Sequence, residues 1–175
     1  MPELPEVQAH AERLSAAHGG SRLARFQPIT FTALKTAVPV PDEAYGYPLQ
    51  QVGRRGKYLL MEFEPVTFVI HLMQGGRLKE DETQSAKPRG GQARWRFDDG
   101  RALLLTEAGK ERRAGVWCLP AGDTRTSPPL ANLGPEALEV TAADLAARFV
   151  AHPMRLHTFL RNQRCIAGIG RRLAN

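Results

Sequence analysis

At 175 residues and 42% hydrophobic side chains, the chain can bury a full core, and these totals exclude a disordered tail. Its formal charge of +6 and pI near 9.8 favour an acidic partner, most often a polyanionic backbone. No run nears the roughly 18 apolar residues of a membrane span and the first residues lack the layout of a secretory signal, so the expectation is a soluble protein.

Residues 5–18 set Val7, Ala11, Leu14 and Ala17 at helical spacing, with Pro5 in the first turn and Gly19 and Gly20 as a stop, which predicts an amphipathic helix. From Leu49 to about Leu105 the pattern turns strand-like through "KYLLMEF", "TFVIHLM", "ARWRF" and "ALLLTE", with Asp99 and Gly100 as a tight hairpin turn. This predicts an antiparallel sandwich. In "QARWRF" the alternation puts Ala93, Trp95 and Phe97 on one face and leaves Arg94 and Arg96 solvated on the other. Residues 79–91, polar and broken by Pro88 and two glycines, read as a mobile loop.

Pro128, Pro129 and "NLGPEAL" mark a junction near residues 128–140, dividing the chain into 1–130 and 131–175. Two helices are expected beyond it, at 144–150 and 156–166. From residue 148 onward there are six arginines and no acid, a distribution that suits phosphate but also serves solubility. Cys118 and Cys165 match neither a metal spacing nor a disulfide framework, so both read as small buried apolar residues of a chain in the reducing cytoplasm.

The opening "MPELPEV", followed in order by "GRRGKYLL", "HLMQGGRL", "ERRAGVW", "LGPEAL" and "LRNQRCIAGIG", resembles the formamidopyrimidine-DNA glycosylase and endonuclease VIII family across nearly the whole chain. The resemblance implies an α+β fold: an N-terminal antiparallel β-sandwich flanked by helices, then the start of a helix-two-turn-helix domain, truncated at Asn175. It implies a bacterial-type cytoplasmic monomer that binds damaged double-stranded DNA and excises oxidised bases, then nicks the abasic strand by β-elimination. Members commonly carry a zinc finger further on. No zinc ligand set exists in this chain, so no cofactor is expected in it.

In that chemistry an amine attacks the sugar C1′ and ends as a covalent iminium. An α-amino group, with a reference pKa of about 7.7 to 8.0 against about 10.4 for lysine, is far more often neutral. The resemblance makes the nitrogen of Pro2 the nucleophile once Met1 is removed; taken alone, Pro2 reads as a helix-entry proline. Glu3 is implied as the acid and base that serves the sugar ring oxygen. Glu6 is implied as a second carboxylate supporting the amine, although an acid there also favours a helix N-terminus. Lys57 matches a lysine that contacts phosphate beside the lesion, with Arg54 and Arg55 either joining it or forming a solvated basic turn.

His71 matches a histidine near the DNA backbone. Gln74 and Arg112 align with residues that fill the stack vacated by the extruded base, but Ala114 stands where purine-specific members have an aromatic wedge, and Met73 is one residue off. Lesion preference therefore stays open. Arg171 occupies the place of a phosphate-gripping asparagine, and Gly168 and Gly170 allow close backbone approach at the turn. The alternative reading is a truncated DNA-binding remnant without turnover.

Overall fold

The computed structural model describes residues 1–109 and 111–175. Its first helix, α1 (Leu4–His18), buries Leu4, Val7, Ala11, Leu14 and His18. The stripe thus ends on His18 rather than Ala17, since a step of four continues the face from Leu14. His18 is fully buried, stacks on Phe97 with ring centroids 4.9 Å apart, and bonds Glu80 through Nε2 at 2.5 Å.

Among the described residues eight strands follow: β1 (Leu23–Pro28), β2 (Gln51–Arg55), β3 (Tyr58–Glu62), β4 (Val66–His71), β5 (Gly76–Glu80), β6 (Gly91–Phe97), β7 (Ala102–Glu107) and β8 (Gly115–Pro120). They form two four-stranded sheets in the orders β1-β6-β7-β5 and β2-β3-β4-β8, with antiparallel pairing at each step. The sheets meet through aromatic rings: Phe68 of the second lies 5.2 Å from Phe26 and 5.9 Å from Trp95 of the first. Asp99 and Gly100 make the expected β6–β7 turn, with Gly100 at φ 86° and the Phe97 amide donating to the Arg101 carbonyl at 2.9 Å.

Two strands lie outside the predicted strand region, and each has a physical reason. In β1 a register shift between Leu23 and Arg25 marks a bulge, so its buried side chains fall at Leu23 and Phe26 rather than at alternate positions. In β8 both faces are covered. Val116 and Cys118 enter the main core, while Leu119 joins a second cluster with Leu60, Val69 and Leu130, so no alternation shows.

Of the two β6 arginines expected in solvent, Arg96 keeps partial exposure and Arg94 is a correction. Arg94 is fully buried and its Nε donates to Asp81 Oδ2 at 2.6 Å, with Nη2 donating to the Ser85 carbonyl at 2.6 Å. The polar stretch read as a loop from residue 79 begins two residues later, because Lys79 and Glu80 pair with β7. Asp81, the next residue, anchors it to Arg94.

After β8 the chain crosses to α2 (Ala142–Ala151) and α3 (Leu156–Arg161). Thr141 and Asp144 form a reciprocal capping box that starts α2. α3 ends earlier than predicted because Asn162 leaves the helical region and its Oδ1 accepts from the Arg164 amide at 3.0 Å, a local bond that competes with helix continuation. Phe159, Cys165 and Ile166 form a third apolar cluster, with Phe149 4.4 Å from Phe159.

Candidate active site

The first residues of α1 are held by residues far along the chain. The Leu4 amide donates to the Gly168 carbonyl at 3.0 Å. The Glu3 carboxylate, with the residue 3% exposed, accepts from the amides of Gly170 at 2.9 Å, Arg172 at 2.7 Å and Leu173 at 3.0 Å. Burial alone would raise its pKa, but these amides and nearby Lys57 outweigh it and hold Glu3 below its ordinary value of 4.5. Glu3 is a carboxylate at rest.

The two glycines make this contact possible. A Cβ on Gly170 would lie 2.5 Å from Glu3 Cδ, and one on Gly168, which sits at φ +103°, would lie 2.7 Å from Leu4 Cδ1. The close approach they permit here is therefore to the N-terminal residues. Glu6 reaches back so that its Oε2 accepts the Glu3 amide at 3.0 Å, and it pairs with Arg172. It thus acts as a helix-start acid while lining a cleft beside Pro2.

Lys57 occupies the β2–β3 turn, one residue before β3, and is 7% exposed. Burial lowers its pKa, Glu3 opposes that, and Arg161 adds to it. His71 ends β4 with Tyr58 against its ring at 4.6 Å. Its Nδ1 accepts the Met73 amide at 3.0 Å, which leaves Nε2 to carry the proton of the neutral ring. Burial, aided by Lys57, drives its pKa down to about 4.

Glu3, Lys57, His71, Gln74, Gly170 and Arg171 line one cleft of about 670 Å³, and Pro2, Glu6 and Gln74 line a neighbour of about 380 Å³. Met1 borders both, with its Sδ 4.0 Å from Lys57 Nζ. Arg112 lines neither cleft; it is exposed just before β8, whose Gly115 pairs with His71. Ala114 is 1% exposed and donates its amide to Glu107 Oε2 at 2.7 Å.

Three contributors escaped the sequence reading. Arg161 adds charge to the larger cleft. Gln163 also lines it, accepting the Gly168 amide at 3.0 Å and donating to the Ile169 carbonyl at 2.7 Å. Arg172 donates the shortest of the amide bonds to Glu3. All three lie in or beside the segment "LRNQRCIAGIG", but only a contact across the chain reveals their direction. Arg54 and Arg55 are not a solvated turn: both pair with Glu136, at 2.5 and 2.7 Å.

Among the described residues no group of three or more His, Cys, Asp or Glu could hold a metal ion, and no helix is long and apolar enough to cross a membrane. Cys118 and Cys165 are buried in different clusters, with burial pushing the Cys118 thiol up to about 12. The residues present do not fit a zinc site.

The titrating groups set a stability profile. His71 binds fewer protons folded than unfolded between its ordinary 6.5 and about 4, and Glu3 does so below 4.5. Both contributions are complete near neutrality and are lost as pH falls. Thermal unfolding should therefore show Tm declining from pH 6.5 downward through the His71 range and continuing to fall below 4.5 through Glu3, with His71→Gln reducing the first decline. A Tm that stays level down to about pH 3 contradicts this assignment.

Fold and cleft together define a two-sheet sandwich protein with a cationic cleft built around its first helix. Residues 1–117 match the model of the formamidopyrimidine-DNA glycosylase N-terminal domain, and the chain belongs to that family. It is 33% identical to the formamidopyrimidine-DNA glycosylase of Symbiobacterium thermophilum over 97% of this chain and 56% of that protein. With the Thiobacillus denitrificans protein of the same name it shares 39% identity over 83% of this chain and 53% of the other. Among solved structures, the Lactococcus lactis formamidopyrimidine-DNA glycosylase non-covalently bound to AP-site-containing DNA superposes with a TM-score of 0.84 at 17% identity, covering 96% of this chain and 64% of that one. Its complex with a FAPY-dG-containing DNA gives 0.84 at 18% identity, over 96% and 64%. The chain thus spans about half the length of these sequence relatives and under two thirds of these solved chains.

Proposed function

We propose that this chain is the catalytic portion of a base-excision DNA glycosylase with AP lyase activity, acting on oxidised bases in duplex DNA through the nitrogen of Pro2. The observation that carries the reading is a buried, ionised carboxylate, Glu3, next in sequence to Pro2 and opening onto a cleft that holds Lys57, His71 and Arg171. In this reading residues 1–130 form the catalytic unit and 131–175 a linker with part of a helix-two-turn-helix DNA-binding unit. The chain works as a monomer. The matched family and the DNA carried by the related structures support duplex DNA as the partner.

The steps follow from charge states. With Met1 removed, the Pro2 nitrogen attacks C1′ of the extruded nucleotide and the base departs with its bonding pair. The proton released by the nitrogen passes to Glu3, which starts unprotonated. Glu3 then delivers it to the ring oxygen as the C1′–O4′ bond opens, leaving a cationic iminium between Pro2 and the sugar. Loss of a C2′ proton and departure of the 3′ phosphate complete the strand nick. Lys57 and Arg171 hold phosphate, and the Nε2 proton of His71 offers a neutral donor to the same backbone. Arg112 faces the orphaned base, with Gln74 in the vacated stack.

A second reading, damaged-DNA binding without turnover, draws on the helices. α2 buries no residue; its Val150 is 84% exposed, and Leu138, ahead of the helix, is 75% exposed. One experiment separates the two. Borohydride reduction of the Met1-processed chain with an abasic-site duplex should give a covalent adduct, and acetylation of the Pro2 nitrogen should abolish it. Retention of DNA with no adduct from the processed chain leaves only the binding reading.

A further inference from the structure

Glu136 stands outside both clefts, on the crossing between β8 and α2, and is 7% exposed. Its Oε2 accepts from Arg54 Nη1 at 2.5 Å, and its Oε1 accepts from Arg55 Nη1 at 2.7 Å and from the Gly56 amide at 2.6 Å. The same two arginines extend the hold in both directions. Arg54 Nε donates to Gln8 of α1 at 2.9 Å, and Arg55 Nη2 donates to the Gly134 carbonyl at 2.6 Å. The backbone around Glu136 runs parallel to residue 167, with the Ala167 amide on the Pro135 carbonyl at 2.8 Å and the Ala137 amide on the Ala167 carbonyl at 3.1 Å.

This places one carboxylate between the two halves of the cleft. On one side is Gly56, the residue immediately before Lys57. On the other is Ala167, immediately before Gly168, whose carbonyl holds Leu4. Gly56, at φ +57°, leaves room for the approach; a Cβ there would lie 3.3 Å from Leu133 Cδ1 and 3.4 Å from Ala167 Cβ. We infer that Glu136 is a positioning residue: it holds the turn carrying Lys57 in register with the segment anchoring Glu3, and so sets the phosphate-binding cation at a fixed offset from the Pro2 nitrogen. The inference deepens the proposed function and rests on it for the DNA side of the argument.

The geometry distinguishes this from a general contribution to folding. A merely structural ion pair would stabilise the chain without caring where Lys57 sits. Glu136 instead grips the backbone amide next to Lys57, so its removal lets that turn shift while both sheets remain paired. Its effect on DNA should therefore pass through Lys57, and a double-mutant cycle reads that dependence.

The test uses the 175-residue chain with Glu136→Gln, Lys57→Ala and the double variant, each checked for folded content by circular dichroism. Affinity for an abasic-site duplex at fixed salt should fall about tenfold in each single variant, and the double variant should bind within about twofold of Lys57→Ala alone. Losses that simply multiply overturn the inference. Independently of DNA, hydrogen exchange at the Gly56 and Ala167 amides should speed up about tenfold in Glu136→Gln. Unchanged exchange at both overturns it as well. If Glu136→Gln does not fold, Glu136→Asp, which keeps the charge but shortens the reach to the Gly56 amide, enters the same cycle with the same expected result. A wild-type chain that neither binds nor traps DNA defeats the proposed function, while the exchange measurement still judges the clamp.

Discussion

Gly170→Ala will slow borohydride trapping of the processed chain by about two orders of magnitude if the proposed mechanism holds, because it displaces the Glu3 carboxylate that the proposal assigns to the reacting sugar. The added Cβ would lie 2.5 Å from both Cδ and Oε1 of Glu3, and Glu3 cannot retreat without giving up its amide bonds to residues 170, 172 and 173. A displacement near 1 Å suffices for a loss of about 10²-fold when a reacting group is misaligned. Overpacking at a buried contact also costs about 1–3 kcal/mol of stability, so trapping rates are to be measured well below the variant's Tm. Gly122→Ala is the matched control, since its added Cβ meets nothing within 4 Å. Trapping at the wild-type rate in Gly170→Ala would remove Glu3 from the mechanism.

Asp81→Ala will destabilise the sandwich by about 3–5 kcal/mol, measured by urea unfolding. It strips the carboxylate paired with Arg94 and leaves a guanidinium with a side-chain exposure of 0% inside the protein, held by the Ser85 carbonyl and, at 3.4 Å, by Gln27. The exposed pair of Arg113 and Glu111, at 3.0 Å, offers the contrast, because solvent screens it and Glu111→Ala should cost under about 1 kcal/mol. An Asp81→Ala loss as small as that would mean that water reaches Arg94.

Arg94 also marks a limit of what the sequence discloses. Alternation along "QARWRF" correctly put Trp95 and Phe97 on the core face and β6 in an antiparallel sheet, but the outer face of that strand is covered by residues 81–85, which no periodicity announces. The hairpin at Asp99 and Gly100 and the strands around "KYLLMEF" and "ALLLTE" were legible because turn chemistry and apolar runs are local signals. β1 was hidden by its bulge, and β8 by burial on both faces.

The candidate site divides in the same way. Pro2, Glu3, Lys57 and His71 entered through resemblance to a family, and the gathering of Glu3, Lys57 and His71 at one cleft, with Pro2 lining its neighbour, needed the fold. Lys57 and His71 are brought together by ordinary pairing of β3 with β4. Glu3, by contrast, meets Gly170 across 167 positions. Glu136 drew no functional reading although it sits in a quoted motif, since an isolated glutamate carries no sign that two arginines and an amide converge on it.

The hold of residues 168–173 on Glu3 also orders events in time. As the polypeptide leaves the ribosome, the eight described strands emerge before any of the amides that satisfy Glu3, so the scaffold can consolidate around a carboxylate still bathed in solvent. On the proposed mechanism, the carboxylate is set only after the sheets that carry Lys57 and His71 exist. By the same token, loss of that short stretch would free the Glu3 carboxylate while the described strands keep their ladders, none of which involves residues 168–173.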